Sequence, residues 1–87
     1  MIIWKNKIFL NLGNNIKYYR HLAKYTQEQL AEKCNLSPRY VSDIENAKRN
    51  ISIITLDVIA SCLEVEPYLL IKDVGTHNLP KKVNMKK

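Results

Sequence analysis

The stretch from Thr26 to Asn46, TQEQLAEKCNLSPRYVSDIEN, constrains the fold of this chain more than any other. Its apolar residues recur at helical spacing in two short runs, separated by residues that suit a tight turn. Leu30 and Cys34 lie four apart with Ala31 beside them, so the three share one face of a first helix. Thr26 stands where an N-cap belongs, and Gln29 follows three residues later, the spacing of a capping box. Asn35 tolerates the left-handed backbone that a helix end and a tight turn require. Ser37 caps a second helix, and Pro38 occupies its first position, where no N–H is needed. Val41 and Ile44 then point inward, leaving Arg39, Tyr40, Ser42 and Asp43 to face outward.

The flanking sequence reads as further helices. Ile16, Tyr19 and Ala23, flanked by Leu12 and Leu22, predict a helix from about Asn11 to Lys24. Asn46 to Asn50 is polar and basic and ends the second motif helix. Ser52 caps a fourth helix over about Ile53 to Leu63, with Ile53, Leu56, Ile59, Ala60 and Leu63 inward. Ile54, Val58 and Cys62 make a second apolar row that Tyr68 and Leu69 extend, so this helix needs a second partner. Pro67 opens a short fifth helix to about Lys72, with Leu70 inward. The reading is an all-α, compact five-helix domain over residues 11–72. Residues 1–10 are an apolar N-terminal extension that packs on the domain or on a second subunit, and residues 73–87 are a basic tail.

Composition narrows the function classes. Eighty-seven residues support one modest core, and 46% apolar residues suit a globular chain. No apolar run nears the ~20 residues that span a bilayer, and MIIWKNKIFLNLG is broken by Lys5, Asn6 and Lys7. The expected location is therefore cytoplasmic, without a membrane partner. Cys34, Cys62, His21 and His77 show no ligand spacing, so no metal site or cofactor is expected, and the cysteines read as reduced, packed thiols. The net charge of +6 is uneven: nine Lys/Arg oppose four Asp/Glu in residues 1–50, one opposes four in 51–73, and four stand alone in 74–87. A basic front and tail around an acidic region suit a polyanion bound on one side.

The motif, through Gln27, Leu30, Ala31, Leu36, Ser37, Val41, Ser42, Ile44 and Glu45, resembles the Cro-type, XRE-like helix-turn-helix of phage repressors and related bacterial regulators. The likeness extends through Leu12–Lys17 and Tyr19–Arg20 on one side. On the other it runs through Lys48–Ser52, Leu56, Ile59–Ala60 and Leu63–Val65, so residues 12 to 71 are covered. The Arg49-Asn50-Ile51-Ser52 variant, with Tyr40, also resembles the controller proteins of restriction–modification systems. The resemblance implies a lambda-repressor-like fold in which Arg20 pairs with Glu45. It implies that the base-reading positions fall on Pro38, Arg39 and Asp43, with Ser42 beside them; Asp43 either accepts from a base or orients Arg39, and Tyr40 reaches a base, a phosphate or the core. Thr26 and Gln27 would meet one phosphate, and Asn46, Lys48, Arg49 and Asn50 a second. Ala47 stands where the family favours Gly, and Asn46 is expected to take over part of the left-handed role.

The function expected is a sequence-specific, double-stranded-DNA-binding transcriptional regulator, a repressor, acting as a homodimer through Ile54, Val58, Cys62 and Leu69. The alternative is an antitoxin-like module whose terminal segments hold a protein partner. An enzyme is not expected: no Gly-rich phosphate loop, ligand cluster or nucleophile–base spacing is present.

Overall fold

Helix follows helix along residues 7–73, the part of the chain that the computed structural model describes. Five helices occur in order: α1 (Lys7–Leu22), α2 (Gln27–Cys34), α3 (Pro38–Glu45), α4 (Ile53–Leu63) and α5 (Tyr68–Ile71), with no strand among the described residues. The N-caps lie where local chemistry put them. Thr26 accepts from the Gln29 N–H while the Gln29 side chain accepts from the Thr26 N–H, a complete capping box. Ser37 accepts from the Tyr40 N–H with Pro38 at the first position, and Ser52 accepts from the Thr55 N–H.

The helix ends share a device that uses no glycine. Lys24, Asn35, Ala47 and Glu64 all adopt left-handed backbone, with φ of 60–65°. At each, the following N–H reaches back five residues: Tyr25 to the Arg20 carbonyl, Leu36 to Ala31, Lys48 to Asp43 and Val65 to Ala60. Ala47 itself takes the left-handed position (φ 60°), whereas Asn46 stays at φ −97°. This corrects the expectation that Asn46 would share the role: the six-residue closure of α3 falls on position 47, with Ala there.

The core gathers Leu12 and Ile16 of α1, Leu30, Ala31 and Cys34 of α2, and Val41 and Ile44 of α3. Leu56, Ile59, Ala60 and Leu63 of α4 and Leu70 of α5 complete it. Helix α1 packs on α3 and α5, and α2 on α3 and α4. Two polar details fix α1. A Cβ on Gly13 would lie 2.6 Å from the Ile44 carbonyl oxygen and 2.7 Å from that of Glu45, so α1 crosses the end of α3 at backbone contact. Buried Asn15 donates from Nδ2 to the Leu70 carbonyl at 3.1 Å and the Lys72 carbonyl at 2.8 Å, pinning α5.

Three expectations shift. Helix α1 begins at Lys7 and ends at Leu22, so Ile8, Phe9 and Leu10 are helical, while Leu22 and Ala23 are exposed. Ile53, expected inward, is 78% exposed, because the first turn of α4 lies outside the face that Leu56, Ile59 and Leu63 bury. Cys62, expected on an outer row, is half-buried against the core, and its Sγ–H donates to the Lys33 carbonyl at 3.4 Å. The first six residues of the apolar extension, and the tail beyond Asp73 with His77, lie outside the described residues.

Candidate nucleic-acid interface

Helix α3 carries the most one-sided polarity of the motif. Val41, Ile44 and Glu45 are buried, while Pro38 and Arg39 are exposed and Tyr40, Ser42 and Asp43 are half-buried. Arg39 and Asp43, four residues apart, lie on one face. Arg39 Nε is 3.4 Å from Asp43 Oδ1, with the Arg39 side chain 85% exposed. This long contact leaves the terminal nitrogens of the guanidinium facing water as a planar pair of donors. Pro38 contributes an apolar edge and no donor.

Tyr40 packs partly against the core, and the Arg49 guanidinium lies over its ring, 4.8 Å from the centroid. The ring therefore braces the loop after α3 while remaining half-buried on that helix. Asn46 Nδ2 donates to Ser42 Oγ at 3.5 Å, a weak link that occupies part of the Ser42 side chain. Asn46, Lys48, Arg49 and Asn50 are all exposed, so the loop is a polar, cationic edge adjoining α3.

The orientation of α3 is set from behind. Glu45, whose side chain is 1% exposed, accepts from Arg20 Nε at 2.7 Å on Oε2 and from Arg20 Nη2 at 3.0 Å on Oε1. The same Oε1 accepts from Gln27 Nε2 at 2.9 Å, and Arg20 Nη1 donates to the Tyr25 carbonyl at 2.9 Å. One carboxylate thus joins α1, the first turn of α2 and the last turn of α3. The Arg20–Glu45 pair implied by the resemblance is present. The Gln27 arm and the Tyr25 arm were not read from the sequence, because nothing in local spacing links residue 27 to residue 45.

Thr26 and Gln27 stand at the start of α2, where N–H groups without intrahelical acceptors and the helix dipole favour an anion. The Thr26 hydroxyl is committed to the cap. The Gln27 amide spends one of its two hydrogens on Glu45, leaving the other. The sequence-derived residues therefore gather into α3, the loop after it and the start of α2, with the buried pair behind them.

The expected dimer residues fall elsewhere. Ile54 is 75% exposed and Val58 37%, on one side of α4, with Leu69 half-buried on α5. Cys62 turns toward α2. Among the described residues no group of three or more His, Cys, Asp or Glu could hold a metal, and no helix is long and apolar enough to cross a membrane.

Comparison with known proteins places this geometry. A family profile described as "Helix-turn-helix" matches residues 16–70. The immunity repressor of Bacillus phage phi105 is 44% identical over 57 residues, which cover 66% of this chain and 40% of the repressor. The control protein C.BamHI of Bacillus amyloliquefaciens is 33% identical over 78 residues, covering 88% of this chain and 96% of that protein. Among solved structures, the restriction–modification controller C.Esp1396I, a tetramer on its natural 35 base-pair operator, superimposes with a TM-score of 0.66. It is 36% identical, and the match covers 72% of this chain and 83% of that one. The chain spans about two fifths of the phage repressor but nearly all of the C.BamHI control protein.

Proposed function

Because this chain belongs to the helix-turn-helix family of DNA-binding transcriptional regulators, we propose that it represses transcription by laying α3 in the major groove of one operator. It is not an enzyme, since the family consists of DNA-binding regulators, and its relatives lend the antitoxin alternative no support. The observation that carries the reading is the three-way junction at Glu45. It presents Arg39 forward on α3 while holding Gln27 at the start of α2, so base reading and phosphate grip are aimed by one buried group.

Arg39 bonds guanine O6 and N7 with its two free nitrogens, while Asp43 limits its swing. Ser42 and Tyr40 complete the reading face, and Pro38 touches a thymine methyl. The second Gln27 hydrogen meets a phosphate oxygen at the start of α2, with Thr26 shaping that end. Asn46, Lys48, Arg49 and Asn50 form the second phosphate clamp. Most of the affinity comes from these backbone contacts and is therefore steeply salt-dependent. A module this small gains selectivity by pairing, so a homodimer joined through Ile54, Val58 and Leu69 binds a roughly palindromic site. The near-complete overlap with a control protein favours the controller subtype, and a cytoplasmic location follows from the same reading.

Mobility-shift titrations of wild type, Arg39→Ala and Gln27→Ala on operator and scrambled duplexes test this. Arg39→Ala should lose about 1–3 kcal/mol of discrimination, roughly ten- to hundred-fold. Gln27→Ala should weaken both duplexes about equally. An Arg39→Ala variant that keeps the wild-type operator-to-scrambled ratio removes Arg39 as a reader.

A further inference from the structure

Two thiols lie outside the DNA-binding arrangement. Cys34 ends α2 in the core, just before the left-handed Asn35, and Cys62 lies in the last turn of α4. Both are free. The Cys62 Sγ–H donates to the carbonyl of Lys33, the residue preceding Cys34, at 3.4 Å. Helix α2 packs on α4, and both thiols sit in or against the same core cluster. They differ in access: Cys34 is 6% exposed, whereas Cys62 lines an open groove of about 450 Å³ whose walls include Tyr19, Tyr25, Leu63 and Val65.

We propose that Cys62 and Cys34 form a peroxide-sensitive thiol pair, Cys62 being the sulfur attacked from the groove and Cys34 the sulfur that resolves it. Cys62 first gives up its proton. Its sulfur attacks one oxygen of hydrogen peroxide, the S–O bond forms as the O–O bond breaks, and the departing hydroxide takes a proton to become water. Cys62 is then a sulfenic acid, its sulfur oxidised by two electrons and the peroxide reduced. Cys34 next releases its proton and attacks that sulfur. Hydroxide leaves, takes the proton, and a second water is formed. Two thiols and one peroxide thus give one disulfide and two waters.

The order of events follows from the surroundings. Burial first, and then the neighbouring Cys62 thiol, push the Cys34 thiol up to about 12, so it does not compete for peroxide. It acts once a sulfenic sulfur lies beside it. The bridge closes a loop over residues 35–61 that contains α3, and it draws the end of α2 onto α4, since an S–S bond is about 2.05 Å long. Disulfides of this kind in reducing compartments are transient, sensing bonds rather than structural ones.

The full chain, treated with hydrogen peroxide and then with N-ethylmaleimide, can be digested and weighed. A monomeric Cys34–Cys62 disulfide is expected, lighter by two hydrogens than the reduced chain, reversed by dithiothreitol and accompanied by a higher thermal midpoint. Cys34→Ala, which keeps the core apolar, should accumulate a dimedone-reactive sulfenic acid at Cys62, and Cys62→Ser should leave Cys34 unreacted. Three results overturn the proposal: both thiols still alkylated after peroxide, sulfenic acid trapped at Cys34 rather than Cys62, or Cys62–Cys62 linked dimers in place of the internal bridge. The dimedone readout on Cys62 uses peptide mass alone, so it stands even if Cys34→Ala loosens the core.

Discussion

Glu45 receives three donors on two oxygens while almost wholly buried, and the Arg20 side chain that supplies two of them is 10% exposed. Truncation to Ala leaves the Arg20 charge inside without a counter-charge. Removing one partner of such a pair costs about 3–5 kcal/mol, against the ~5–15 kcal/mol by which domains are stable. Glu45→Ala should therefore lower the urea midpoint severely, and a midpoint within error of wild type would show that the pair does not hold α3. Ala47 makes the opposite case. Left-handed backbone costs a Cβ-bearing residue ~1–2 kcal/mol, of which glycine returns up to ~1 through the unfolded chain. Ala47→Gly should raise stability by about 0.5–1 kcal/mol, whereas Asn35→Gly should change little, because Asn already tolerates that conformation; thermal melts of the two variants separate them. His21 supplies a pH dependence. Burial first, then the charge of Arg20 beside it, lower its pKa below 6.5, while Glu45 opposes and Lys17 adds to the lowering. The folded state thus prefers neutral His21. Its stabilising contribution is full above the unfolded value near 6.5 and fades as pH falls through the lowered folded value. Urea melts at pH 7.5 and 5.0 should show a loss that His21→Gln reduces.

At the scale of elements, helix starts and stops were legible where their cause is local. Thr26 with Gln29, Ser37 with Pro38, and Ser52 each satisfy backbone N–H groups within three residues, so the sequence alone located them. What was not legible depends on distant partners. Lys5, Asn6 and Lys7 read as an interruption, yet α1 starts at Lys7, and Ile8 and Phe9 line an apolar hollow of about 210 Å³ with Ile51 and Leu56. Helix α4 is apolar on two sides, and periodicity could not tell that Ile53 belongs to the outer one. Gly13 and Asn15 looked like ordinary helix residues because their reasons lie in Ile44–Glu45 and in Leu70–Lys72. Asn15→Ala should strand the buried Leu70 carbonyl and cost about 1–3 kcal/mol, and amide exchange should rise first in α5. Uniform exchange across all five helices would count against a local pin. The same limit applied to the interface: the residues of α3 were named from the motif, but the hold of Glu45 on Gln27 and of Arg49 on Tyr40 needed the fold.

Across the whole molecule, the two surfaces divide the work. The loop after α3 is an exposed cationic edge, and Ile54 and Val58 of α4 are exposed apolar residues near half-buried Leu69. In the function proposed, the first meets DNA and the second a second copy of the chain. Ile54→Asp with Val58→Asp places two charges in that surface. Sedimentation should then report a monomer that keeps its helical content, and an unchanged dimer mass would move the interface elsewhere. The proposed pairing would also fix what the operator looks like, because two α3 helices related by a two-fold axis would read two half-sites about one helical turn, ~34–36 Å, apart. Selection of bound duplexes from a random pool, followed by titration of the winner at several salt concentrations, tests the reading of α3 most directly. One enriched sequence with two-fold symmetry is expected, containing a guanine in each half-site that Arg39→Ala no longer selects, with affinity falling steeply as salt rises. A pool that stays random, or a symmetric site selected equally well by Arg39→Ala, would contradict it.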